Sequence, residues 1–136
     1  MDDFKHKQIT DKIIKAFYKV YNALGYGFLE KVYENALFIE LIEMELSVEQ
    51  QKPIKVSYYG KAVGEYFADL VVNNQIIVEL KTAENLSDAH VAQLLNYLKA
   101  TEIEVGLLLN FGQKPSFRRK VFSNQRKSLA SVFNNP

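Results

Sequence analysis

A chain of 136 residues can bury roughly two thirds of its unfolded surface and reads as one domain over 1–136. Apolar content of 48% and charged content of 24% are those of a globular protein, and the absence of cysteine excludes disulfides and thiolate metal sites, so an intracellular, cytoplasmic setting is expected. No apolar run approaches the ~18 residues that span a bilayer, and Met1–Gln8 has no signal-peptide core, so no membrane partner is expected.

Apolar residues at Ile9, Ile13, Ala16, Phe17, Val20 and Leu24 follow helical spacing, and Gly25 and Gly27 end that helix. A second helix is predicted from about Leu29 to Glu45, burying Val32, Ala36, Leu37, Ile39 or Leu41, and Met44. Ser47 to Lys52 reads as a polar connection. Pro53 opens an extended run to Tyr59, which turns at Gly60-Lys61 into a second strand, Ala62 to Val72. Asn73-Asn74-Gln75 is the next turn and Ile76 to Lys81 the third strand. Ser87 is placed to cap a helix from Asp88 to about Ala100. Ile103 to Asn110 is a fourth strand, and its continuous Val105–Leu109 run implies burial on both faces. Phe117 to Phe122 is a candidate edge strand, followed by a helical or frayed tail. The order α-α-β-β-β-α-β predicts an α/β fold, a central mixed sheet flanked by helices.

Charge is unevenly spread. Residues 105–136 hold no acid but carry Lys114, Arg118, Arg119, Lys120, Arg126 and Lys127, whereas the first 104 residues hold 11 basic and 16 acidic side chains. An acidic body with a basic end suits a protein that gathers carboxylates in one place and grips phosphates in another, with Lys114, Arg118, Arg119 and Lys120 as the candidate phosphate contacts. A solvated terminal segment would read the same way.

Asp69, Glu79 and Lys81 lie inside otherwise apolar, strand-forming runs, where ionised groups are costly unless paired. Two carboxylates about 4 Å apart repel by roughly 4 kcal/mol at an effective dielectric near 20, and a hard divalent cation reverses that penalty. Glu79 and Lys81 share a strand face. A two-residue turn at Asn73-Asn74 would put Asp69 opposite Val78; a three-residue turn, Asn73-Asn74-Gln75, puts it opposite Glu79. The three-residue turn, or an equivalent bulge, is the expectation. Asp69 and Glu79 would then bind Mg²⁺ or Mn²⁺ with the Leu80 carbonyl as third ligand, and Lys81 would steady the attacking water or the growing phosphorane charge. Simple Glu79–Lys81 pairing on a solvated face is the competing reading.

Two helix constellations lie beside this one. Glu30 and Tyr33 sit at i, i+3 with Glu34 beside them, although a carboxylate in a first turn also serves the helix dipole. Gln93 and Tyr97 sit at i, i+4 with His90 one turn earlier. They are placed either to hold a phosphate or the acidic pair, or merely to flank the Val91, Leu94, Leu95, Leu98 stripe. His90 titrates in the range useful to an acid or base, but a lone helix histidine is more often structural. His6 carries no functional expectation.

Gly27-x-x-Glu30-x-x-Tyr33, Tyr59-Gly60-Lys61, Asp69-Leu70, Val78-Glu79-Leu80-Lys81, Gln93-Leu94-Leu95-Asn96-Tyr97 and Gly106–Gly112 occur in an order that resembles the GxxExxY family of the PD-(D/E)xK nuclease superfamily, from about Ile9 to Val121. The resemblance implies a restriction-endonuclease-like core, with Glu30 as the helix acid of the active site and metal ligand, and Gln93 and Tyr97 as a Gln-x-x-x-Tyr element. The leading Pro-Asp of the superfamily is Ala68-Asp69 here. It also implies a Mg²⁺-dependent nuclease acting on nucleic acid, with DNA the expected substrate; a homodimer is compatible with so small a domain gripping a duplex. A catalytically silent nucleic-acid- or partner-binding module on the same scaffold is the alternative. No Gly-rich phosphate loop or serine or cysteine nucleophile motif points to another enzyme class.

Overall fold

A computed structural model describes residues 5–127; Met1–Phe4 and the tail beyond Lys127 lie outside the described residues. Two helices, α1 (Lys7–Leu24) and α2 (Glu30–Glu43), precede β1 (Val48–Tyr58), β2 (Lys61–Val72) and β3 (Ile76–Lys81). Helix α3 (Asp88–Lys99) then leads to β4 (Val105–Asn110) and β5 (Ser116–Val121). The strands form one sheet in the order β1-β2-β3-β4-β5. Strands β3 and β4 run parallel with α3 as their crossover, and every other neighbour is antiparallel. This is the mixed sheet flanked by helices that the sequence predicts, with the candidate edge strand realised as β5.

Helices α1 and α2 cover one face. Ile13, Ala16, Phe17 and Val20 of α1 pack with Tyr33, Leu37 and Leu41 of α2 on Leu70, Val72, Ile76, Val78, Leu80, Val105, Leu107 and Leu109. On the other face, Leu94, Tyr97 and Leu98 of α3 meet Ile54, Ala68, Val71, Ile77 and Leu108. Between these two layers Ile76–Leu80 and all of β4 are buried, which is why both are apolar but for Glu79 and Asn110.

Three local expectations change. Strand β1 starts at Val48, so Gln50 and Gln51 belong to the sheet and not to a polar connection. The β1–β2 turn is Tyr59-Gly60, one residue earlier than expected, with both residues left-handed (φ 51° and 72°), as the tightest hairpin loop requires. On α2 the buried stripe is Tyr33, Glu34, Leu37 and Leu41, while Val32 and Ile39 are exposed. The apolar residues of α2 are spread around its circumference, so periodicity alone does not choose its inner side.

Pairing of β1 with β2 runs from Val48↔Val72 to Tyr58↔Lys61, but β3 pairs only Leu70, Val71 and Val72 of β2. The distal part of the hairpin therefore projects past the rest of the sheet. Lys61–Phe67 are exposed along it.

Candidate active site

The Asn73-Asn74-Gln75 turn brings the first two groups together. Asn73 and Asn74 both adopt left-handed backbone (φ 52° and 54°), a conformation that asparagine tolerates better than most residues. Pairs Val72↔Ile76 and Leu70↔Val78 close around three turn residues and set Asp69 across from Glu79. Regular pairing stops there, and side chains replace it. The Asp69 N–H donates to Glu79 Oε2 at 2.7 Å, and the Leu80 N–H donates to Asp69 Oδ2 at 2.8 Å. In a strand the N–H and C=O of one residue point to the same edge, so the Leu80 carbonyl faces this same gap.

Lys81 and α3 form the second wall. Lys81 Nζ donates to Gln93 Oε1 at 3.2 Å, and Gln93 Nε2 donates to Tyr97 Oη at 3.1 Å. The helix comes this close because Gly106 of β4 has no side chain; a Cβ there would lie 2.7 Å from Leu94 Cδ1. The chain after Lys81 is clamped as well. Asn110 Oδ1 accepts from Ala83 N–H, Asn110 Nδ2 donates to Ala83 O, both at 2.9 Å, and Phe111 N–H donates to Lys81 O at 2.7 Å. Gly112 lies so close that a Cβ would fall 2.0 Å from Ala83 O.

The third wall is one the sequence reading missed. Glu34 on α2 is buried and accepts from Lys31 Nζ (2.9 Å), Gln50 Nε2 (2.8 Å) and Gln51 Nε2 (2.9 Å). The Gln51 amide also reaches Asp69 Oδ1 at 3.3 Å, so it bridges the two acids. Neighbouring strand residues ordinarily point to opposite faces. Gln51 is left-handed (φ 52°), and that break lets both glutamines turn toward Glu34. A signal was present: Glu34, Leu37 and Leu41 share an i, i+3, i+7 stripe, a carboxylate where core residues belong.

Glu30 stands in the first turn of α2 and is exposed. Its charge reaches Glu79 only as the weakest contributor to that group's titration. Tyr33 is buried and shapes the loop before Glu30: its hydroxyl donates to Gly25 O at 2.5 Å, accepts from Phe28 N–H at 3.3 Å, and its ring stacks on Phe111 at 4.5 Å.

The electrostatics follow from crowding two acids in a half-dry cleft. Burial first, then the Asp69 charge, push the Glu79 carboxyl up to about 8, against the Asp69 N–H and Lys81, which favour its ionised form. Burial also raises Asp69, opposed most by the Leu80 N–H and reinforced by Glu34. The Tyr97 phenol is raised by burial, then by the Glu79 and Asp69 charges. Among the described residues, no three His, Cys, Asp or Glu side chains stand close enough together to hold a metal ion by themselves.

The remaining expectations separate. His90 completes a capping box with Ser87, accepting from the Ser87 N–H at 3.1 Å, and so has a structural task. Arg119 donates to the Lys5 carbonyl, tying β5 to the segment before α1. Lys127 donates to Thr101 O and Ile103 O, and Arg126 stacks on Phe122 at 4.3 Å. Lys114 and Arg118 are exposed and Lys120 half-buried, and β3 and β4 lie between β5 and the strand that carries Asp69.

Among curated proteins none matches the chain. A solved protein titled "Crystal structure of SSO0001" has a similar fold, with a TM-score of 0.56 at 20% identity over 76% of this chain. The match spans 57% of that protein's length. The arrangement is thus restriction-endonuclease-like, a mixed five-stranded sheet with flanking helices. A family model of the PD-(D/E)XK nuclease superfamily matches residues 7–120, a span that contains every member of the Asp69–Tyr97 cluster, and the chain belongs to that superfamily.

Proposed function

We propose that this protein is a divalent-metal-dependent nuclease of the GxxExxY branch, which hydrolyses phosphodiester bonds of DNA with an activated water and no covalent intermediate. The observation that carries the reading is the interlocked Asp69–Glu79 pair, with Glu79 pushed up to about 8. Two acids this close beside a lysine form a site short of positive charge.

The donor set fits a hard cation. Each carboxylate gives one oxygen to a backbone N–H, Glu79 Oε2 and Asp69 Oδ2, and keeps the other off the backbone. The Leu80 carbonyl and water would complete an oxygen set of the kind Mg²⁺ or Mn²⁺ takes. When bound, such an ion polarises a phosphoryl oxygen and makes its water more acidic. Lys81, oriented by Gln93, supplies a fixed positive charge where the transferring phosphoryl group becomes more negative. Gln93 and Tyr97 orient that lysine and face the phosphate, and Glu30 adds negative charge at the mouth. Lys114, Arg118, Arg119 and Lys120 are assigned to the phosphate backbone, with Arg119 constrained by its bond to Lys5. No described helix is long and apolar enough to cross a membrane, and we assign the protein, as a single domain, to the cytoplasm.

The test is hydrolysis of labelled linear, circular and single-stranded substrates with Mg²⁺ and Mn²⁺, beside a Lys81→Ala control. Metal-dependent cutting by the wild type, lost in Lys81→Ala, is expected; cutting that survives in Lys81→Ala sinks the assignment. One observation favours a second reading, a silent binding module: both acids already have backbone donors, so the pair is stable with Glu79 protonated. Calorimetric titration separates the two. Binding of Mg²⁺ or Mn²⁺ that Asp69→Ala and Glu79→Ala abolish supports the enzyme, and no binding at millimolar metal supports the module.

A further inference from the structure

Gln93 and Tyr97 face two ways. Besides contacting the Lys81 side of the site, they line a cleft of about 710 Å³ between α3 and the projecting β1–β2 hairpin. Its other lining residues include Lys55, Ser57 and Tyr66 of the hairpin and Asn96 and Lys99 of α3, and no carboxylate is among them. The volume lies within the ~300–1,000 Å³ range of small-molecule sites. Tyr66 is 50% exposed, and its ring centroid lies 5.6 Å from that of Tyr97 at a tilt of 44°. Lys99 rests over the Phe122 ring at 5.6 Å, which holds one lysine near the rim of the cleft.

We propose that this cleft binds an unpaired nucleotide next to the bond to be cut, with its base stacked on Tyr66 and its phosphate beside Lys99, so that the protein prefers single-stranded nucleic acid or a frayed end to intact duplex. The identity of the polymer rests on the nuclease reading; the cleft and its chemistry do not. An exposed aromatic face accepts any base, because every base has a π-face, but only one that has left its neighbours. In a duplex both faces of each base are covered, and presenting one to Tyr66 requires flipping it out at a cost in stacking. Lys55 is in register with Glu65 across the hairpin, so Lys99 is the lining cation placed to take the phosphate. Gln93 and Tyr97, shared by cleft and site, fix the distance between stacked base and acidic pair.

The probe is a short fluorescein-labelled single-stranded DNA and the blunt duplex of the same sequence, measured by anisotropy in EDTA so that no hydrolysis is needed. The single strand is expected to bind at least tenfold more tightly than the duplex. Tyr66→Ala is expected to weaken single-strand binding about tenfold, the scale of one lost stacking contact. Tyr66→Phe, which keeps the ring, should restore it, and Lys99→Glu should weaken binding and flatten its salt dependence. Equal or tighter duplex binding, or a Tyr66→Ala affinity within twofold of wild type, overturns the proposal. An oligonucleotide carrying 5-iodouracil should photocrosslink to Tyr66, and a crosslink confined to β5 also overturns it. Because these readouts need no metal, inactive protein that binds as described refutes the nuclease assignment alone, and active protein indifferent to Tyr66→Ala refutes the cleft alone.

Discussion

Along its β4 edge, strand β3 pairs in parallel without a break from Ile76↔Val105 to Lys81↔Asn110, whereas along its β2 edge pairing stops after Leu70↔Val78. The first edge is closed by backbone bonds between strands buried throughout except at Lys81. The second is closed at its open end by two carboxylates, each bonded to the other strand's backbone. One edge is therefore indifferent to pH and cations and serves as a fixed wall. The other is held by groups whose charge changes, which is where chemistry is expected.

Substitutions on the two edges should behave oppositely. Asp69→Ala is expected to lower turnover by about a thousandfold, the upper range for losing one electrostatic partner of a transition state, while changing stability by no more than ~1 kcal/mol. Leu107→Ala, in the buried β4 strand, should cost about 2–5 kcal/mol in urea unfolding and leave the metal affinity of the folded fraction unchanged. Parallel losses of stability and activity in both variants would erase the distinction.

Gly112→Ala sharpens it from the other side. The added Cβ would meet the Ala83 carbonyl rather than a movable side chain, so about 2–3 kcal/mol should be lost, read as a lower denaturant midpoint.

The pH response should belong to the β2 edge alone. Glu79, raised from 4.5 to about 8, binds more protons folded than unfolded between those values. Stability of metal-free protein therefore falls as pH rises through that window and is greatest below it. Asp69 is shifted in the same direction and adds to the slope. Thermal midpoints in EDTA at pH 5 and pH 8 should decline by several degrees in the wild type, about 4 °C for each kcal/mol. Glu79→Gln should flatten the decline and be the more stable protein at pH 8 by about 1 kcal/mol, and Mg²⁺ affinity of the wild type should rise with pH. Smallest of all, Ser87→Ala should cost ~1 kcal/mol through the lost cap of α3 without moving the pH slope.

Much of this was legible in the sequence where a period of two governs. Strand alternation and the three-residue turn put Asp69, Glu79 and Lys81 on one side, and the i, i+4 spacing joined Gln93 to Tyr97. The helix acid was harder to find. Glu30 had the motif position and the exposed first turn, but Glu34, one turn on, is the carboxylate that enters the core, beside Asp69. Glutamate on a helix is normally read as solvent-facing, and the apolar residues scattered around α2 competed with the Glu34, Leu37, Leu41 stripe. Gln50 and Gln51 were hidden for another reason: polar residues before a proline resemble a loop, and the left-handed turn at Gln51 is a tertiary outcome that no local propensity announces.

The kink at Gln51 also affects how molecules of this protein meet one another. Strand β1 is an outer strand of eleven residues, long enough to recruit a strand from a second copy. It carries Pro53, which has no N–H to donate, and lysines at 52 and 55. Its backbone turns left-handed at Gln51, and its register shifts between Val56 and Ser57. The bend that delivers an amide to the acidic pair thus also denies other copies a flat, adhesive border. Straightening it should make concentrated solutions of the protein prone to fibril growth.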